Sequence, residues 1–156
     1  MTREGARGME WNAWGKDGGN PPNYVPTLVF TRLLAGPMDY TPGIFDLKIP
    51  TKPNNRVNTT LAKQLAYYVV IYSPLQMAAD LPENYDGNPA FQFIVDVPCD
   101  WEKTLALNGE IGEYVTIARK DRNSDDWYLG SITNEETRDF AIKLNFLDAD
   151  KEYKTQ

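Results

Sequence analysis

An α+β fold is predicted for this chain of 156 residues, on three observations. A charge-free run from Gln64 to Ala79 holds the apolar stretch LAYYVVIY, Leu65 to Tyr72, with Thr59 and Thr60 ahead of it and Pro74 behind; that is the pattern of a buried helix. After Pro98 the apolar spacing changes to period two, the mark of strands with alternating faces. Clusters of Gly, Asn and Pro separate these segments and read as loops. Residues 1 to about 97 therefore read as mixed helix and strand, and residues 98 to 156 as antiparallel β. With 42% hydrophobic and 12% aromatic residues the chain can build a core.

The elements follow in order. Residues 1–23, rich in Gly, Asn and Pro, read as a loop with a short strand end. Tyr24 to Leu34 fits a helix that Ala35-Gly36-Pro37 ends. Met38 to Tyr40 fits a short buried strand, and Thr41-Pro42-Gly43 a turn. Residues 46–58 are polar and Pro-rich, a loop. Thr59 or Thr60 caps a helix from Leu61 to about Tyr72. Pro74 kinks or restarts it, with Leu75 to Leu81 continuing the apolar pattern. Pro82 to Pro89 is a loop, and Ala90 to Val95 fits helix or strand equally well. Strands are then expected at Gly112–Arg119, Trp127–Ile132 and Phe140–Phe146, the first two joined by the polar hairpin RKDRNSDD. The chain stops after a turn and the first residues of another strand. Three strands rarely close a sandwich, so both ends look cut.

Composition removes several chemistries. There is no histidine, which excludes a Ser-His-Asp triad and His-ligated zinc. The single cysteine, Cys99, excludes an internal disulfide framework and reads as a partly buried thiol. A net charge of −6 with scattered acidic residues is not a nucleic-acid surface. The apolar run is shorter than the roughly 20 residues of a membrane helix. Met1-Thr2-Arg3-Glu4 carries no signal-peptide apolar region. Carboxylates, Tyr, Lys and Arg remain for catalysis, and a metal site could only be oxygen-rich.

Glu4 and Glu10 lie six residues apart in REGARGMEWNAW, Arg3 to Trp14. On a helix that is about 240° of rotation, and on a strand roughly 20 Å, so neither element lets them act together. A turn through Gly5 and Gly8 would. Two carboxylates on one turn suit ligation of a hard cation, or a general acid with a raised pKa. Spacing alone leaves open that both are solvated loop residues. AGPMDYTPG, Ala35 to Gly43, either turns Asp39 and Tyr40 toward a site or is a packed strand and turn. Trp101 in DWEKT is either an aromatic sugar platform or a tryptophan packed where two regions meet.

Five blocks carry a resemblance: REGARGMEWNAW, NPP at Asn20–Pro22, FTRLLAGPMDYTPGIF at Phe30–Phe45, LAYYVVIYSPLQMAADLPENY at Leu65–Tyr85, and VPCDWEKTLALNGEIGEYVTIARKDRNSDDWYLGSITNE at Val97–Glu135. In this order they resemble the C-terminal part of glycoside hydrolase family 97, the α-glucosidases and α-galactosidases common in Bacteroidetes. The resemblance implies the last β/α units of a catalytic (β/α)8 barrel over residues 1–97, then a truncated antiparallel C-terminal β-sandwich domain over 98–156. It carries the family motif R-E-G-x-R-G-x-E onto Arg3 to Glu10. Glu4 is then a calcium ligand and Glu10 the general acid that protonates the glycosidic oxygen. The second catalytic carboxylate and the other calcium ligands would come from the N-terminal part of the same enzyme, so the chain alone is expected to be inactive. The resemblance further implies an α-linked oligosaccharide or glycoside as substrate and a periplasmic or secreted location. The alternative is a carbohydrate-binding or structural β-module, with Trp101 and Trp127 stacking on sugar.

Overall fold

Thr60 opens the central helix. Its side chain accepts the Lys63 N–H at 3.2 Å, satisfying one of the free donors of a first turn. The helix, α3, runs Leu61–Val70 and buries Gln64, Tyr67, Tyr68, Val69 and Val70. It stops two residues before the sequence suggests, and Leu75–Leu81 does not continue it. Pro74 lacks an N–H and forces extended backbone ahead of itself. The carbonyl of Tyr72 is used elsewhere, accepting the Met38 N–H at 3.0 Å. Leu75 and Leu81 are exposed, so their apolar pattern marks no buried helix face.

The structure, a computed structural model, describes residues 3–16 and 18–155. Before α3 come two short helices, α1 (Trp11–Trp14) and α2 (Tyr24–Phe30), and a 3-10 turn over Arg32–Ala35. The expected helix over Tyr24–Leu34 is thus split at Thr31. After α3 come α4 (Pro82–Tyr85), in a stretch expected to be a loop, and α5 (Phe91–Asp96), which settles the ambiguous Ala90–Val95 as helix. The short strand expected at Met38–Tyr40 is a single parallel bridge from Met38 to Arg3.

Three strands follow: β1 (Trp101–Glu110), β2 (Tyr114–Asp121) and β3 (Trp127–Thr133), antiparallel in the order β1-β2-β3. Two of them match the expected strands. β1 was not expected, because irregularities at Trp101/Lys103 and Ala106/Asn108 break its alternation. Phe140–Phe146, expected as a strand, is not one. Its alternate rings cover strand aromatics instead: Phe140 lies 4.7 Å from Tyr114 and Phe146 4.9 Å from Trp127. Leu144 and Phe140 are both exposed, which leaves no buried face to hold a strand.

The fold is α+β with one three-stranded sheet. Among the described residues there is no second sheet to form a sandwich and no run of barrel strands. Helix α3 packs across β3 and β2, and the main core mixes residues from both parts of the chain: Met9, Met38, Tyr40 and Val70 with Val115, Ile117 and Ile132. A second cluster joins Tyr68 and Val69 to Val97 and Trp101. No described helix is long and apolar enough to cross a membrane.

Candidate functional site

Glu10 ends the turn that starts at Glu4 and opens α1. Gly5 adopts φ +80°, open to glycine at little cost, and turns the chain there. Arg32 holds that end of the turn from below. Its Nε donates to the Glu4 carbonyl at 2.7 Å and its Nη2 to the Arg3 carbonyl at 2.6 Å. Asp39 N–H donates to the same Arg3 carbonyl at 3.0 Å. At the other end, two buried asparagines replace regular structure. Asn12 Nδ2 donates to the Met9 carbonyl at 2.8 Å, and Asn20 Nδ2 donates to the Gly8 carbonyl at 2.9 Å. Buried main-chain groups need such partners, and here side-chain amides supply them.

The Glu10 carboxylate is held at both of its oxygens. Its Oε1 accepts the Gly8 N–H at 3.1 Å, and its Oε2 accepts from the Thr41 hydroxyl at 3.0 Å. Thr41 Oγ in turn accepts the Met9 N–H at 2.6 Å. The carboxylate folds over Gly8, where a Cβ would overlap it and would sit 2.6 Å from Thr41 Oγ. So Gly8 serves close approach, whereas Gly5 serves the bend. Glu10 remains exposed while Gly8 and Met9 beneath it are buried: an anchored main chain presents an accessible acid.

Two phenols lie close to the turn. The Tyr24 hydroxyl accepts the Arg7 N–H at 2.6 Å, and burial raises its pKa above the ordinary 10. Tyr40 is buried with its ring edge-on to Tyr67, centroids 6.2 Å apart. Burial holds its hydroxyl well above the usual range. Both stay neutral near pH 7 and cannot act as bases. Arg7 places its guanidinium 4.7 Å over the Trp11 ring.

Glu4 is exposed on the same turn, joined to the rest through its main-chain carbonyl. Among the described residues no group of three or more His, Cys, Asp or Glu side chains could hold a metal. As hard oxygen donors Glu4 and Glu10 fit calcium chemically, but this chain by itself offers only part of a ligand set. In AGPMDYTPG, Tyr40 packs into the core, and Asp39 is half-buried with Oδ1 lacking a hydrogen-bond partner. The residue of that stretch that reaches the site is Thr41, which the sequence marks only as a turn residue. Trp101 is buried, 5.5 Å from Tyr128 and 5.7 Å from the Arg119 guanidinium, so its face is not open to a sugar. The two strongly perturbed cations are structural. Lys63 donates to the Pro22 and Thr133 carbonyls, and Arg119 donates to the Val69 carbonyl at the end of α3.

The chain is similar to known proteins. The family model described as glycosyl-hydrolase 97 C-terminal, oligomerisation, matches residues 100–156. A family 97 enzyme from a Pseudoalteromonas species, solved in complex with panose, is 55% identical over 96% of this chain with a TM-score of 0.87. The chain belongs to glycoside hydrolase family 97. The acarbose complex of the Pseudoalteromonas family 97 enzyme gives 56% identity and the same TM-score of 0.87. A retaining α-galactosidase of Bacteroides thetaiotaomicron is 36% identical over 98% of the chain. The chain spans about a quarter of the length of these family 97 proteins, 24% of each.

Proposed function

We propose that this chain is the C-terminal portion of a calcium-dependent, exo-acting α-glycosidase, with Glu10 as its general acid. The observation that carries the proposal is the seat of Glu10: an exposed carboxylate fixed by the Gly8 N–H and the Thr41 hydroxyl at the end of the Arg3–Glu10 turn. General acids need this combination of fixed geometry and access. Membership of family 97 supplies the reaction class. Glu10 delivers its proton to the glycosidic oxygen while the bond to the anomeric carbon breaks and its electron pair goes to that oxygen. A second carboxylate, acting at the anomeric carbon, belongs to the N-terminal part of the enzyme, as do most of the calcium ligands. Glu4 would be the calcium ligand from this chain. When bound, the ion supplies positive charge near the substrate.

Residues 1–97 would then close the catalytic domain and residues 98–156 begin the C-terminal β-domain. Export to the periplasm fits the family and is part of the same proposal. Two curated relatives are named as retaining α-galactosidases or probable ones, and two solved neighbours hold panose and acarbose. Both sugars are therefore on trial. The test joins this chain to the N-terminal portion of the Pseudoalteromonas relative and follows hydrolysis of nitrophenyl α-glucoside and α-galactoside, with calcium and with a chelator. Calcium-dependent activity on one of them, reduced by about 10² to 10⁴ in Glu10→Gln, is expected. Full activity in Glu10→Gln would remove Glu10 from the chemistry, and indifference to chelation would remove the calcium.

A further inference from the structure

We infer that Thr41 is a positioning residue that fixes which oxygen of Glu10 carries the transferred proton; this rests on Glu10 being the acid. The Gly8 N–H can only donate, and it donates to Oε1 at 3.1 Å. The carbonyl oxygen of a carboxylic acid is the better acceptor, so this donor favours Oε1 as the carbonyl oxygen and Oε2 as the oxygen that carries the acid proton. Oε2 faces the Thr41 hydroxyl at 3.0 Å. That hydroxyl already accepts the Met9 N–H at 2.6 Å, and it retains one hydrogen and one lone pair.

This arrangement serves both protonation states. Before transfer, Oε2–H gives its proton to the leaving oxygen, and the glycosidic electron pair goes to that oxygen. After transfer, Oε2 is anionic and accepts a hydrogen bond from the Thr41 hydroxyl. Thr41 thus stabilises the carboxylate as it forms, a contact stronger in the transition state than in the ground state. Gly8 is the floor of the same seat: a Cβ there would push Oε2 off Thr41. Thr41 is half-buried and Met9 buried, so the hydroxyl is fixed from the interior.

The test uses the full-length family 97 enzyme containing this chain, in wild-type, Thr41→Ser, Thr41→Val, Gly8→Ala and Glu10→Gln forms. Each is assayed on a dinitrophenyl α-glycoside, whose leaving group needs no proton, and on the methyl α-glycoside, whose leaving group does. Thr41→Val is expected to lower kcat about tenfold on the methyl glycoside, and less than about twofold on the dinitrophenyl one. Loss of a hydrogen bond to the ionised acid should move the alkaline limb of its pH profile upward. Thr41→Ser, which keeps the hydroxyl, should restore both. Gly8→Ala, checked for folding by circular dichroism, should show the same dependence on leaving group. Equal losses on both substrates with an unmoved pH limb would make Thr41 merely structural and overturn the inference. If Glu10→Gln itself shows no dependence on leaving group, the assignment of the acid fails instead, and this inference with it.

Discussion

The sheet and the acid-bearing turn are held by different kinds of bond. In β1-β2-β3 the backbone pairs with itself, and side chains are left to pack; Val115, Ile117, Ala118 and Ile132 are all buried. Around the turn the backbone pairs with itself only in single turns and one bridge, and side chains add the rest. Asn12, Asn20, Asn55, Asn58 and Arg32 all donate to main-chain carbonyls there. Regular structure satisfies polar groups without regard to sequence, whereas an irregular loop needs a named side chain for each. The difference has a functional side. A strand would lock Glu10 onto one of two faces, while a loop built from side-chain contacts can aim it.

The contrast can be broken where the regions meet, and the largest effect is expected at Gln64. This fully buried residue accepts the N–H of Gly43 at 2.8 Å and that of Ile44 at 3.1 Å, tying the loop after the Thr41 turn to α3. Gln64→Leu keeps the bulk and orphans both donors, at a cost of about 2–5 kcal/mol. Chemical denaturation would show it, and an unchanged midpoint would mean the loop is held by something else. Gly130→Ala comes next. A Cβ on β3 would lie 2.8 Å from the Val69 Cβ and 3.0 Å from the Ala66 carbonyl of α3. Overpacking of this kind costs about 1–3 kcal/mol. A stable Gly130→Ala protein would show that helix and sheet can slide apart.

Thr60→Ala removes only a helix cap and is expected to lower stability by about 1 kcal/mol. Thermal unfolding would register it, and a Thr60→Ser protein should be close to wild type. The last contrast is a pH dependence. Burial pulls the Lys63 ammonium down to about 8 from its ordinary 10.5. Below about 8 the fold buries a charge; between 8 and 10.5 the unfolded chain binds more protons than the folded one. Stability from this site therefore rises as pH increases through that window. Lys63→Met should flatten the slope between about pH 8 and 9.5, before buried tyrosines begin to titrate in the unfolded chain. An identical slope in wild type and Lys63→Met would place the titration elsewhere.

Much of this was legible in the sequence because its cause is local. Thr60 caps α3 because a hydroxyl ahead of an apolar run can reach the first-turn donors. Strands β2 and β3 are legible because neither carries an irregularity of its own and they pair with each other in an unbroken register. The bend at Gly5 follows from what glycine permits. None of these depends on what lies far along the chain.

Tertiary structure decided the rest, since it concerns pairs of residues distant in sequence. The bulges in β1 hide its alternation, and only its partner β2 makes it a strand. Phe140 and Phe146 repeat like a strand, yet with no partner backbone their rings simply cover Tyr114 and Trp127. Trp101 looks like a sugar platform until the Arg119 guanidinium and Tyr128 close over it. Thr41 lies 31 residues from Glu10, and no periodicity relates them. A hydroxyl within 3.0 Å of a carboxylate is a fact of packing: the chain had to fold for that oxygen to find its acid.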